Sequence, residues 1–174
     1  MFRNLGETQT VFYKKKTEPK ELTPEAALEK ARRFCNYQER CTSEVIQRLK
    51  EWNVTGTDAD KILEALRDET LLDDARFAKA FVRGKFRIKN WGAGKIQAGL
   101  RTKAIPDDLI KEAMSELPQE DQDDKLLALL EKKNNQLKEP NLQKRKTKLA
   151  AFAMQKGYRG DILWKTIEVL VGKK

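Results

Sequence analysis

Residues 72–105, LDDARFAKAFVRGKFRIKNWGAGKIQAGLRTKAI, decide the fold. Asp73 and Asp74 suit the positive end of a helix, and Phe77, Ala78, Phe81 and Val82 follow at helical spacing. The run breaks at Trp91, Gly92, Ala93 and Gly94, after which Ile96 and Leu100 carry a short second helix. Pro106 opens a third helix, with Asp107 and Asp108 in its first turn. Leu109, Ile110, Met114 and Leu117 form its apolar face.

The same three-helix plan reads on both sides of this stretch. Upstream, Thr23 is placed to cap a helix that starts at Pro24 and turns Leu28, Ala31, Phe34 and Cys35 inward. A second helix is predicted from Thr42 or Ser43, with Val45, Ile46, Leu49 and Trp52 inward. A third is predicted from Thr57, where Asp60 stands three residues on as in a capping box, and Ile62, Leu63 and Leu66 form its face. Downstream, Leu126, Leu127, Leu129 and Leu130 lie on one helix, Leu149, Phe152 and Ala153 on the next, and Ile162, Leu163, Ile167 and Leu170 on the last. Lys138 to Leu142, with Pro140, separates the first two of these.

Val54, Ile105 and Tyr158 each follow one helix and precede another, and Leu49, Leu100 and Ala153 stand five residues before them. Such self-similarity predicts an all-α fold, an elongated tandem array of three three-helix repeats. The expected units are residues 22–70, 71–118 and 119–174. Residues 1–21, with Val11, Phe12 and Tyr13 before Lys14, Lys15 and Lys16, read as a short flexible N-terminal arm.

Composition removes several function classes. The chain has no histidine, so Ser–His and Cys–His nucleophile pairs are impossible and the commonest general base is missing. Cys35 and Cys41 are the only cysteines and form no CxxC pair, too few for a structural zinc site. No Gly-rich phosphate loop or metal-ligand cluster accompanies the carboxylates, so neither catalysis nor a cofactor is expected. With no long apolar run and no signal-peptide core, the expectation is a cytoplasmic protein, and with no heptad run or symmetric patch, a monomer.

Charge is the positive signal. The net charge of +9 is partitioned into +7 over residues 71–105, −7 over 106–131 and +9 over 132–174. On the central helix Arg76, Lys79, Arg83 and Arg87 fall on one stripe away from Phe77 and Phe81, and Lys85 and Lys89 form a neighbouring row. Lys95, Arg101 and Lys103 continue the basic surface. Lys144, Arg145, Lys146 and Lys148 form a second cluster, which Lys156 and Arg159 extend. These are the expected contacts to a polyanion or an acidic protein surface. The acidic block either pairs with a basic one within the fold or keeps its own face off the polyanion. Trp91 either stacks on a base or wedges two helices together.

LLDDARFAKAFVRGKFRIKNWG followed by KIQAGLRTKAI resembles the signature of the bacterial RecX regulators, which modulate the RecA recombinase. Leu72, Asp73, Asp74, Arg76, Phe77, Ala78, Gly92, Ile96, Leu100 and Ile105 carry the likeness, and FCNYQERCTSEVIQRL upstream is similar to the family's first repeat. The resemblance covers roughly residues 22 to 171. It departs at Ala104, where the family commonly has Gly, and at Ala153, where Leu is usual. It implies an elongated stack of three-helix repeats lying in the groove of a RecA–DNA filament, touching recombinase subunits, with DNA as a further candidate contact. It also implies suppression of filament extension, ATP turnover and strand exchange, without catalysis. The alternative from charge alone is a stand-alone helical module that binds DNA or RNA.

Overall fold

A computed structural model describes residues 22–172, so the arm expected over residues 1–21 lies outside the described residues. Among the described residues the fold is all-α, with nine helices in three consecutive triplets. The first holds α1 (Pro24–Tyr37), α2 (Thr42–Glu51) and α3 (Gly56–Asp68). The second holds α4 (Asp74–Lys89), α5 (Ala93–Thr102) and α6 (Asp107–Ser115). The third holds α7 (Gln119–Gln136), α8 (Leu142–Lys156) and α9 (Asp161–Gly172).

Each helix contributes buried residues one turn apart to its triplet's core. In the first these are Ala27 and Ala31, Val45 and Leu49, Ile62 and Leu66. In the second they are Ala78 and Val82, Ile96 and Leu100, Ile110 and Ala113. Met114, expected inward, is only partly buried, and Ala113 takes the core place. In the third they are Leu126 and Leu130, Leu149 and Ala153, Leu163 and Ile167. Fully burying one Leu or Ile contributes about 1.5–3 kcal/mol, so each small core is adequate but thin. The third triplet redistributes volume: α7 supplies two leucines where α1 supplies two alanines, and α8 supplies Ala153 where α2 and α5 supply Leu49 and Leu100. The two leucines of α7 more than replace the volume that Ala153 gives up, which is why a small residue is accommodated there.

The repeat is clearest at the end of each middle helix. Val54, Ile105 and Tyr158 are all buried, and their backbone N–H groups donate to Leu49, Leu100 and Ala153 at 2.9, 3.2 and 3.1 Å. In each case the preceding residue is left-handed, at φ 60° for Asn53, 55° for Ala104 and 94° for Gly157. This turn satisfies helix-end carbonyls and drives the next apolar residue back into the core.

Helix starts follow the sequence with two exceptions. Thr23 caps α1 by accepting from the Ala26 N–H at 3.3 Å, and Pro24 is its first residue. The Thr57–Asp60 capping box does not form: α3 begins at Gly56, whose φ of 63° starts the turn early, after Thr55. The break after α4 is Asn90, a left-handed cap at φ 53°, so Ala93 and Gly94 already belong to α5.

The middle helices of successive triplets meet end to end, and the two seams differ. At the first, the Ser43 hydroxyl of α2 donates to the Lys103 carbonyl at the end of α5 (2.6 Å), and the Lys103 ammonium pairs with Glu44. Asp74, from α4, accepts from the Thr42 N–H at 2.8 Å and so caps α2 from another triplet; Cys41 itself offers no side-chain cap. Cys41 is fully buried within the second triplet's core. At the second seam the Gly92 and Gly94 N–H groups of α5 donate to the carbonyls of Lys156 and Gly157 at 2.8 and 3.2 Å. A Cβ on Gly92 would stand 2.8 Å from the Gly157 backbone, and one on Gly157 would collide with Lys95.

Candidate interaction surface

The basic stripe of α4 divides into a neutralised side and a free side. Arg76 pairs through Nε with Glu39 at 2.7 Å and also donates to the Thr70 carbonyl at 2.9 Å. Asp73, placed by the sequence at the positive end of this helix, accepts from the backbone N–H groups of Ala75 and Arg76 at 2.8 and 3.0 Å and caps it. Lys79 contacts Glu112 at 2.8 Å and Glu116 at 3.5 Å, and Arg83 contacts Glu116 at 3.0 Å. Hydrogen bonding to Glu112 and the charge beside it hold the Lys79 ammonium above the usual lysine range. Here the acidic block pairs within the fold, because α6 packs along α4 and presents two glutamates one turn apart. Such half-exposed pairs contribute little stability each, but they cancel the charge.

The remaining α4 cations have no carboxylate partner among the described residues. The Lys85 ammonium sits 4.9 Å from the Phe81 ring centre and 5.1 Å from that of Trp91. Lys95 approaches Trp91 at 4.8 Å while donating to the Gln155 carbonyl at 3.0 Å, across the second seam. Trp91 is half-buried, edge-on to Phe81 at 6.4 Å, and close to the bare backbone of Gly99. It wedges α4 against α5 and two lysines cover it, so the packing alternative describes it. Arg87 and Lys89 are exposed. Arg101 pairs with Asp107 at 3.0 Å.

The second basic cluster is spread over several tasks. Arg145 closes the α7–α8 loop, donating to the Glu139 carbonyl at 2.8 Å and to Asn134 and the Leu137 carbonyl at 3.4 Å each. Lys148 pairs with Glu139 at 2.6 Å, and Lys146 with Glu168 at 2.5 Å. Hydrogen bonds from Lys148 and from the Asn141 N–H hold the Glu139 carboxyl below its usual range. Lys144 is exposed, with only its backbone N–H capped, by Asn141 at 3.0 Å. The candidate cations without a carboxylate partner among the described residues are therefore Lys85, Arg87 and Lys89 with Lys95 beside them, and Lys144, Lys156 and Arg159 in the third triplet.

Sequence reading missed a groove beside the free lysines. It is lined by Phe77, Ala80, Phe81, Gly84, Lys85, Ile88 and Lys89 of α4 with Gln38 and Glu39 from the α1–α2 loop, and encloses about 540 Å³. Ile88 is 75% exposed. The available signal was a second apolar row on α4: Phe77, Phe81, Gly84 and Ile88 are spaced four, three and four, alongside the core row Ala78, Val82 and Phe86.

Among the described residues no His, Cys, Asp or Glu group converges to hold a metal ion, and no helix is long and apolar enough to cross a membrane. Burial pushes the Tyr158 hydroxyl up to about 12, and it has no hydrogen-bond partner.

Comparison with known proteins agrees with the three-helix plan. A family model described as the second three-helix domain of RecX matches residues 73–114, and one described as the third matches residues 120–167. Regulatory protein RecX of Clostridium botulinum (strain Eklund 17B / Type B) is 34% identical over 116 residues, covering 64% of this chain and 54% of that protein. That of Bacillus mycoides (strain KBAB4) is 26% identical, covering 81% and 52%. The chain thus spans about half the length of these curated relatives. In fold, it matches the crystal structure of RecX from Lactobacillus salivarius with a TM-score of 0.75 at 24% identity, over 84% of this chain and 96% of that one. A second RecX crystal structure gives 0.72 at 23% identity, over 86% and 75%.

Proposed function

The chain belongs to the RecX family, and from that premise we propose that it is a non-catalytic regulator of the RecA recombinase. It binds in the groove of the RecA–DNA filament and restrains filament extension, ATP hydrolysis and strand exchange during recombination and repair. It acts in the cytoplasm as a monomer, with residues 22–70, 71–118 and 119–174 as its repeating units. The observation that carries this reading is the match of two successive RecX three-helix domains to two successive triplets. The architecture supports it: a tandem array whose units follow one another end to end offers several contacts to a partner that also repeats.

The unpaired cations of α4, Lys85, Arg87 and Lys89, supply the electrostatic part of the contact, to acidic recombinase surface or to the DNA backbone, with Lys95 adding to the local field. They also favour a second reading, direct binding of bare nucleic acid, which rests on phosphate contacts alone and weakens steeply with salt.

The test is ATP hydrolysis by a RecA–single-stranded-DNA filament, titrated with the full chain at concentrations too low for it to bind bare DNA. Hydrolysis should fall at substoichiometric protein. Unchanged hydrolysis together with tight binding to naked DNA would replace the filament regulator with the nucleic-acid module.

A further inference from the structure

The groove along α4 combines three features. Its floor is small, at Ala80 and Gly84, and nothing lies within 4 Å of where a Gly84 Cβ would stand. Its wall is apolar, formed by Phe77 and Phe81, and it opens at Ile88, whose side chain is left in water. Its charge is positive: Lys85 and Lys89 have no carboxylate partner among the described residues, and the one acid in the lining, Glu39, has its Oε1 on Arg76 and its Oε2 buried without a partner.

We infer that this groove is a docking site for an acidic amphipathic segment of a partner protein, which lays apolar side chains on Phe81, Gly84 and Ile88 and its carboxylates against Lys85 and Lys89. The charge selects this occupant. A base needs a free aromatic face to stack on, but Phe81 is already covered by Lys85 and packed edge-on to Trp91, and the floor itself is aliphatic. A second copy brings a net charge of +9 to a basic rim, and residues 1–21 bring Lys14, Lys15 and Lys16 beside their own apolar residues. An apolar strip flanked by lysines is the form in which a helix groove reads a partner of opposite charge. The inference rests on the proposed function for the partner's identity, the recombinase, and makes the groove the place where it is held.

Gly84→Leu fills the floor, and because the space there is open the side chain enters the groove rather than the core. Gly84→Ala leaves the groove open and serves as control. Ile88→Glu, at an exposed position, reverses the chemistry without touching packing. The chain and its variants are titrated against a labelled RecA–single-stranded-DNA filament and, separately, against a bare thymidine oligonucleotide, with thermal melts of each. Gly84→Leu and Ile88→Glu should weaken filament binding about tenfold, Gly84→Ala should not, and oligonucleotide binding should be the same for the wild type and both Gly84 variants. Equal filament affinity for the wild type and both disruptive variants overturns the docking site. A parallel loss of oligonucleotide binding in Gly84→Leu assigns the groove to nucleic acid and overturns it too. If the wild type binds no filament, the proposed function fails, and the groove is judged by a labelled helical peptide of Leu and Glu against its Leu and Lys counterpart. Preferential binding of the acidic peptide, lost in Gly84→Leu, supports the inference; no preference sinks it.

Discussion

The two seams join equivalent ends of equivalent helices, yet one is built from side chains and the other chiefly from backbone, with Lys95 the one side chain donating across it. Between the first and second triplets, Asp74, Ser43 and the Glu44–Lys103 pair make the contact. Between the second and third, Gly92, Gly94 and Gly157 bring two backbones together directly. The same helix-end problem, donors at one end and carbonyls at the other, therefore has two solutions. The side-chain seam tolerates substitution piecemeal, because each contact is worth a fraction of the whole. The backbone seam requires close approach, so a single added carbon opens it.

The largest effect should come from Gly157→Val. It places a branched side chain at φ 94° and drives it into the backbone of Lys95. A loss of more than about 3 kcal/mol, read by urea denaturation, is expected, and a loss under 1 kcal/mol would mean that the seam is not close-packed. Asp74→Ala comes next. It deprives α2 of the cap lent by another triplet and should cost about 1 kcal/mol, the usual worth of a helix cap. No loss would return Asp74 to an ordinary first-turn acid.

Ala104→Gly sharpens the contrast by changing sign. Ala104 holds the left-handed position at φ 55° that Gly157 holds in the third triplet, so glycine there should raise stability by about 0.5–1 kcal/mol. A lower melting temperature for that variant would show that the Ala104 methyl packs usefully. The smallest effect is electrostatic. Raising salt should weaken the first seam, with its Glu44–Lys103 and Arg76–Glu39 pairs, by about 0.5 kcal/mol. Amide exchange at the start of α2 should then quicken while that at the start of α5 stays the same.

The fold was legible in sequence because its signals are local. Apolar residues one turn apart, Pro24, Asp73 and the Val54, Ile105 and Tyr158 positions mark helices and turns without reference to distant residues. Where reading failed, the decisive partner was distant or belonged to the backbone. Asp74 caps a helix that starts 32 residues earlier. Arg83 and its partner Glu116 are 33 apart, and nothing in either segment announces which face of α6 meets α4. The Thr57–Asp60 spacing looked like a cap, but Gly56 turned the chain one residue sooner. Charge counting located the acidic block; it did not reveal that Glu112 and Glu116 would silence Lys79 and Arg83 and leave Lys85 and Lys89 facing outward.

Cys41 gives the first seam a chemical witness. Its chain position belongs to the first triplet, whereas its thiol is fully buried in the core of the second; Cys35, the only other cysteine, is buried in the first. Separating the two triplets would uncover Cys41 and leave Cys35 sealed, and only unfolding would release both. The ratio of alkylation at the two thiols thus distinguishes a molecule that bends from one that melts, in the native chain and without a label.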